Sequence, residues 1–185
     1  MHKLNLFPTY ANLSLRYNPT NDGIIKGMTN IPTLKKLSAS DFLEKKITYE
    51  ECVKKTQQML TQNILQIKSK KIAIGLSGGT DSSLNTLLVS KFDKFSLKCF
   101  CIGFGDEFDE FDDASTVAKL VNCDYKEYVI DDVLKDLPKL IWKFKAPKSN
   151  LWPYYNFKKV QELGADTTVS GEGGDELFGG YFFRY

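Results

Sequence analysis

Ser77-Gly78-Gly79-Thr80-Asp81-Ser82-Ser83 places four hydroxyls, two adjacent glycines and one carboxylate in seven positions. Glycines let a backbone approach an anion closely, and the hydroxyls of Ser77, Ser82 and Ser83 add hydrogen bonds to those of the turn's own amides. Phosphate is the natural guest of such a loop. It is not a Walker A loop, because no lysine follows to reach the terminal phosphates. Asp81 would be repelled by phosphate unless a divalent cation bridges the two, and a hard carboxylate oxygen favours magnesium. A magnesium nucleotide is implied, against the plainer alternative of a strand-to-helix turn with Asp81 as its N-terminal cap.

The second cluster is Ser170-Gly171-Glu172-Gly173-Gly174-Asp175-Glu176-Leu177-Phe178-Gly179-Gly180-Tyr181, with five glycines and three acids in twelve residues. So little side chain leaves either a site loop or a disordered tail, and Leu177, Phe178 and Tyr181 speak against disorder. Beyond a strand next to the first one, this loop brings Asp175 to the same cation as Asp81 and presents Glu172 to a substrate.

These clusters need a scaffold, and the pattern from Lys71 onward supplies one. Short apolar strands are predicted at Ile72–Leu76, Leu97–Phe104, Glu127–Ile130 and Thr167–Val169. Helices follow from the spacing of Leu84, Leu87 and Leu88; of Ala114, Val117, Ala118 and Val121; of Val133, Leu134, Leu137, Leu140 and Ile141; and from Tyr154 to Leu163. Strands alternating with helices predict an α/β fold, a doubly wound parallel sheet with helices on both faces. In such a sheet the Ser77–Ser83 loop lies beyond the carboxyl end of a strand, where a helix N-terminus offers unpaired amides to an anion. Upstream, Thr48-Tyr49-Glu50-Glu51 has capping-box spacing, and Cys52, Val53, Thr56, Met59, Leu60 and Ile64 mark a helix ending near Ser69. Residues 1–47, punctuated by Pro8, Pro19, Gly23, Gly27 and Pro32, read as an irregular, extended lead-in with a hairpin across Asn18 to Gly23.

Composition bounds the rest. The chain has 185 residues, 42% of them hydrophobic, with 25 basic against 23 acidic side chains. A formal charge of +2 lacks the footprint of a dedicated nucleic-acid binder. No run of 18 apolar residues exists to span a membrane, so a cytoplasmic protein is expected. Cys52, Cys99, Cys101 and Cys123 form no CxxC pair and read as reduced, buried, small hydrophobes. The acidic run Asp106 to Asp113 offers a second metal ligand or a hold on a cationic substrate, but reads rather as a solvated loop whose last acids sit at a helix N-terminus; Trp142, Trp152, Tyr154 and Tyr155 offer a stacking platform but read as core.

Ser77 to Ser83 resembles the SGGxDSS signature of the PP-loop ATP pyrophosphatases, of HUP-type fold, which cleave ATP between the α and β phosphates. Alone, that signature leaves asparagine, GMP, NAD and argininosuccinate synthetases and tRNA-modifying enzymes in play. Ser170 to Tyr181 resembles the SGEGxDELFGGY segment of the asparagine synthetase family almost position for position. Cys101-Ile102-Gly103-Phe104 is similar to that family's strand beside adenine, and Phe111-Asp112-Asp113-Ala114 with Val117-Ala118 to its next helix. The resemblance runs from about Lys71 to Tyr181. It is fainter over residues 13–47, which resemble the end of the family's glutaminase domain and its linker, so that 48–185 forms the synthetase-like, ATP-pyrophosphatase domain.

The resemblance implies that Gly75, Ile102, Ser170 and Gly171 line an adenosine pocket, that Ser77, Gly78, Gly79 and Ser82 hold the pyrophosphate, and that Asp81 and Asp175 hold Mg2+. Glu172 would be needed to form an acyl-adenylate, which is then converted to an amide. A small acid, aspartate or another carboxylate, would be the substrate alongside ATP.

Three departures stand out. Position 2 is His2 where glutamine-dependent members expose a nucleophilic cysteine, so nitrogen would come from ammonia or a separate glutaminase subunit. The family's synthetase domain continues past this motif, whereas the sequence stops at Tyr185, which implies a C-terminally incomplete domain or half of a split enzyme with a partner subunit. Its end, Tyr181-Phe182-Phe183-Arg184-Tyr185, would then expose aromatic rings. Finally, Lys145-Ala146-Pro147 lacks an acid that family members often carry there. Competing readings are a non-catalytic ATP-binding subunit and a tRNA-modifying enzyme.

Overall fold

The computed structural model describes residues 3–15, 20, 22–27, 38–41, 46–105, 107, 109–144 and 151–180. His2, Lys145-Ala146-Pro147, Tyr181 to Tyr185 and half of the expected Asn18–Gly23 hairpin lie outside them. The chain divides into two compact units, Met1–Thr48 with Asp132–Leu151, and Tyr49–Asp131 with Trp152–Tyr185.

In the first unit, helix α1 spans Leu6–Leu15, where an extended lead-in was expected. Pro8 does not break it. A proline in the first turn of a helix lacks only an amide that has no intrahelical partner there. Thr9 Oγ1 donates to the Asn5 carbonyl at 2.8 Å, and an isolated antiparallel bridge joins Leu4 to Ile25. Helix α5, Val133–Phe144, belongs to the same unit.

The second unit begins with helix α2, Tyr49–Leu65, directly after Thr48. It stops four residues before the expected end near Ser69. Its last turn tightens, with Ile67 N donating to the Ile64 carbonyl, and Lys94 Nζ takes the Leu65 carbonyl at 2.8 Å. Strands β1 (Lys71–Gly75), β2 (Ser96–Gly103) and β3 (Asp124–Val129) form a parallel sheet in that order. Helix α3 (Thr80–Ser90) joins β1 to β2, and α4 (Phe111–Leu120) joins β2 to β3. After α6 (Trp152–Glu162) the chain returns to the other side of β1.

The expected fourth strand is reduced to one parallel bridge, Ile72 to Thr167, supported by Ala73 N donating to the Thr167 carbonyl at 3.0 Å. Pairing ends there because the segment turns away, and Asn85 Nδ2 takes the Ser170 carbonyl at 2.9 Å. Strand β3 starts three residues earlier than expected, at Asp124. It is mostly exposed, so backbone pairing with β2, rather than an apolar run, sets its limits.

Strand alternation sorts the core. Ile72 and Ile74 pack with Ile64, Leu88, Val89 and Phe95, while Cys99 and Cys101 pack with Leu76, Ala114 and Ala118. That face carries α3 and α4. The opposite face carries α6, and Lys98 Nζ holds the carbonyl of Leu163, the residue just after it, at 2.9 Å. Helices therefore cover both faces, as the α/β reading required. Ile72, Ala73 and Ile74 are wholly buried, so truncating Ile74 to alanine should cost about 2–5 kcal/mol.

Candidate active site

The chain leaves β1 in one direction toward β2 and comes back to β1 from the other side at Thr167. That reversal of strand order opens a crevice at the carboxyl ends, the place where parallel sheets bind ligands. A cavity of about 880 Å³ lies there.

Both sequence clusters reach it. Ser77, Gly79, Asp81 and Ser82 line it from the loop after β1, with Gly75 and Ile102 from the strand ends. Ser170, Gly171, Glu172 and Asp175 line it from the second loop. Asp81 and Asp175, expected to share a cation, thus face one space.

The first loop is held by its own hydroxyls. Ser77 Oγ and Ser82 Oγ lie 3.1 Å apart, Gly79 N donates to Ser77 Oγ at 3.2 Å, and Ser82 Oγ donates to the Gly79 carbonyl at 3.2 Å. Gly78 is not among the cavity-lining residues. Its φ of +81° is left-handed, and a Cβ there would collide with Asp113 and come within 2.8 Å of that residue's backbone carbon. The glycine is therefore needed to pass the loop across the start of α4. Ser83 also stays off the cavity, with its Oγ buried and without a hydrogen-bond partner.

The second cluster is not all loop. Gly174–Phe178 forms a short helix, α7, in which Glu176 accepts from Gly173 N at 3.1 Å. This capping interaction and left-handed glycines at both ends fold a segment that composition alone leaves open.

Several lining residues lie outside the ligand set expected from sequence, among them two acids of the run read as a solvated loop. Asp109 accepts from Phe104 N at 2.8 Å and Gly105 N at 2.7 Å, and with Glu110 it lines the cavity, whereas Asp112 and Asp113 sit in the first turn of α4 as expected. Tyr155 is core, but Trp152 and Phe157 line the cavity and Trp142 is exposed. Asn156 and Thr168 also line it, each with a buried oxygen that has no hydrogen-bond partner. A polar residue at helical spacing among aromatics was the signal available for Asn156. Cys101 lines the wall too, and burial, reinforced by Glu110 and Asp109, pushes its thiol up to about 11. Cys99 is buried as expected, but Cys52 and Cys123 are only partly so.

Among the described lining residues are six carboxylates and no Lys, Arg or His. A polyphosphate in this cavity needs cations. Two carboxylates lining one cavity suit magnesium, which takes one or two from protein and completes its shell with phosphates and water. No group of three or more potential ligands occurs among the described residues, so the donor set fits a cation shared with substrate rather than a closed protein cage.

Residues 63–185 match the asparagine synthase family. The chain belongs to that family. It is 30% identical over 156 residues to the glutamine-hydrolysing asparagine synthetase 1 of Bacillus subtilis, an alignment covering 80% of this chain and 24% of the relative. A putative glutamine-hydrolysing asparagine synthetase 2 of Methanocaldococcus jannaschii is 31% identical, covering 57% of this chain and 22% of its own length. The chain thus spans about a quarter of the length of these asparagine synthase relatives. An NH3-dependent NAD synthetase structure from Campylobacter jejuni aligns with a TM-score of 0.46 at 19% identity, covering 73% of this chain and 61% of that one. Among the described residues no helix is long and apolar enough to cross a membrane.

Proposed function

We propose that this chain binds ATP with magnesium, adenylates the carboxylate of a small acid and passes the acyl group to nitrogen, as an asparagine synthetase-like, AMP-forming ligase. The observation that carries this reading is the meeting of the Ser77–Ser82 and Ser170–Asp175 loops in one cavity at the carboxyl ends of a parallel sheet.

An oxygen of the acid, aspartate or another carboxylate, attacks the α-phosphorus, and the bond to the bridging oxygen of the β-phosphate breaks to release pyrophosphate. A nitrogen lone pair then attacks the acyl carbon, AMP leaves with the bonding electrons, and the nitrogen gives up a proton to solvent as the amide forms. Ser77, Gly79 and Ser82 hold the departing pyrophosphate, and Gly78 shapes their loop. Asp81 and Asp175 would hold Mg2+, which supplies charge neutralisation to the phosphates when bound. Glu172 faces the reacting carboxylate, and Gly75, Ile102, Ser170 and Gly171 enclose the adenosine. Positioning and electrostatics replace covalent work by the protein. Ammonia, free or released by a glutaminase, supplies the nitrogen. Four free cysteines suit a reducing cytoplasm.

Incubation with ATP, magnesium, aspartate and ammonia tests the reading. AMP and pyrophosphate appearing with the amide support it; ADP and phosphate would refute the mechanism.

A further inference from the structure

Asn156 Oδ1 is buried and has no hydrogen-bond partner, and so is Thr168 Oγ1. Both residues line the cavity beside the carboxyl end of β1. The amide oxygen stands so near Gly75 that a Cβ there would meet it at 2.8 Å. Apolar residues of the same lining include Ile102, Trp152 and Phe157. An unpaired acceptor in such surroundings loses the hydrogen bonds water would give it, a loss that a ligand donor can restore. Gly75 precedes the phosphate-type loop by two residues, so this end of the cavity lies behind the phosphates, where a nucleotide carries its base.

We propose that Asn156 selects the base: its side-chain oxygen accepts a hydrogen bond from the exocyclic 6-amino group of a purine, with the Thr168 hydroxyl as a second polar contact. The inference rests on the nucleotide reading above and adds a side-chain reader to it. With the amide held as it is in this structure, a 6-oxo purine sets oxygen against oxygen at this point. The apolar walls then leave both unpaired, which is how a site built for a hydrogen bond rejects an analogue lacking it. Trp152 and Phe157 supply flat apolar surface of the kind that encloses a base.

The experiment uses the full chain with magnesium and compares ATP with ITP, which carries a 6-oxo group and an N1–H where ATP carries a 6-amino group and a bare N1, and with inorganic pyrophosphate as a probe of the phosphate loop alone. Wild type should bind ATP about tenfold more tightly than ITP. Asn156→Leu should bring the two within about threefold of each other while pyrophosphate affinity stays unchanged. A wild-type thermal unfolding curve together with unchanged pyrophosphate affinity guards against misfolding of the leucine variant. An unchanged ATP-to-ITP ratio in Asn156→Leu, or a wild-type preference for ITP, would overturn this inference while leaving nucleotide binding intact. Failure of the wild type to bind any nucleotide would overturn both readings.

Discussion

Asp81 lies so close to Gly174 that a Cβ on the glycine would meet the carboxylate at 2.6 Å. The same aspartate crowds Gly171, where an added Cβ would come within 2.6 Å of Asp81 Cβ. The two loops therefore interlock through the absence of side chains, and the glycines of the second are the space that Asp81 occupies.

The two contacts predict different outcomes. Gly171→Ala drives a methyl against an atom fixed to the backbone, so it should cost roughly 1–3 kcal/mol of stability. Gly174→Ala meets only the end of a side chain that can swing away, so thermal unfolding should change little while magnesium-nucleotide affinity falls. Unfolding curves and nucleotide titrations of both variants separate the two; equal stability losses would contradict the distinction.

Asp81→Asn and Asp175→Asn should each weaken magnesium-ATP binding by about tenfold or more, because each removes charge from a cation otherwise shared with phosphate. Both residues lie in the cavity wall rather than the buried core, so folding should survive. Titration calorimetry with magnesium-ATP checks this, and full affinity in both variants would rule out a shared cation.

Alkaline stability should report Cys101. Its thiol is raised from about 9 to about 11, chiefly by burial, so between those values the folded chain keeps a proton that the unfolded chain loses. Unfolding then releases a proton, and stability is complete below about pH 9 and is lost as pH rises toward 11. Two pK units correspond to roughly 2–3 kcal/mol. Tyr125, raised also by burial, continues the loss above its ordinary range. The melting temperature of Cys101→Ala should therefore fall less steeply across this interval than that of the wild type. Parallel profiles would assign the alkaline loss elsewhere.

Cys123 Sγ lies 3.0 Å from Cys99 Sγ. Cys99, buried on β2, is held far above the usual thiol range, first by its hydrogen bond with Cys123 and then by burial, while the same contact lowers Cys123. The first proton leaves Cys123. Limited treatment with iodoacetamide near pH 8, read by peptide mass, should label Cys123 well before Cys99 or Cys101. Preferential labelling of Cys99 would contradict this ordering.

The helices and strands of the second unit were largely legible because apolar spacing is a local property: Ile72, Ala73 and Ile74 announce a buried strand, and Leu84, Leu87 and Leu88 a helix. Their limits were less so. Strand β3 extends beyond its apolar residues because its pairing with β2 holds it, and Thr167–Val169 shortens to a bridge because Asn85 draws the next carbonyl away. Helix α1 was missed because Pro8 was read as a break, although in a first turn it breaks nothing.

The sequence by itself determined which chemistry was available: clustered hydroxyls, glycines and carboxylates at two places define a loop for an anion and a loop of acids, whatever lies between them. Only the tertiary structure decided that Asp81 and Asp175 face one cavity, that Gly78 serves the start of α4, and that Asn156 turns an unpaired oxygen toward the end of β1. Those relationships join residues far apart in the chain. They are created when β1 and β2 pair with α4 beside them, when α6 packs across β1 and when the returning segment pairs with Ile72, and none of these events leaves a periodicity in the sequence to read.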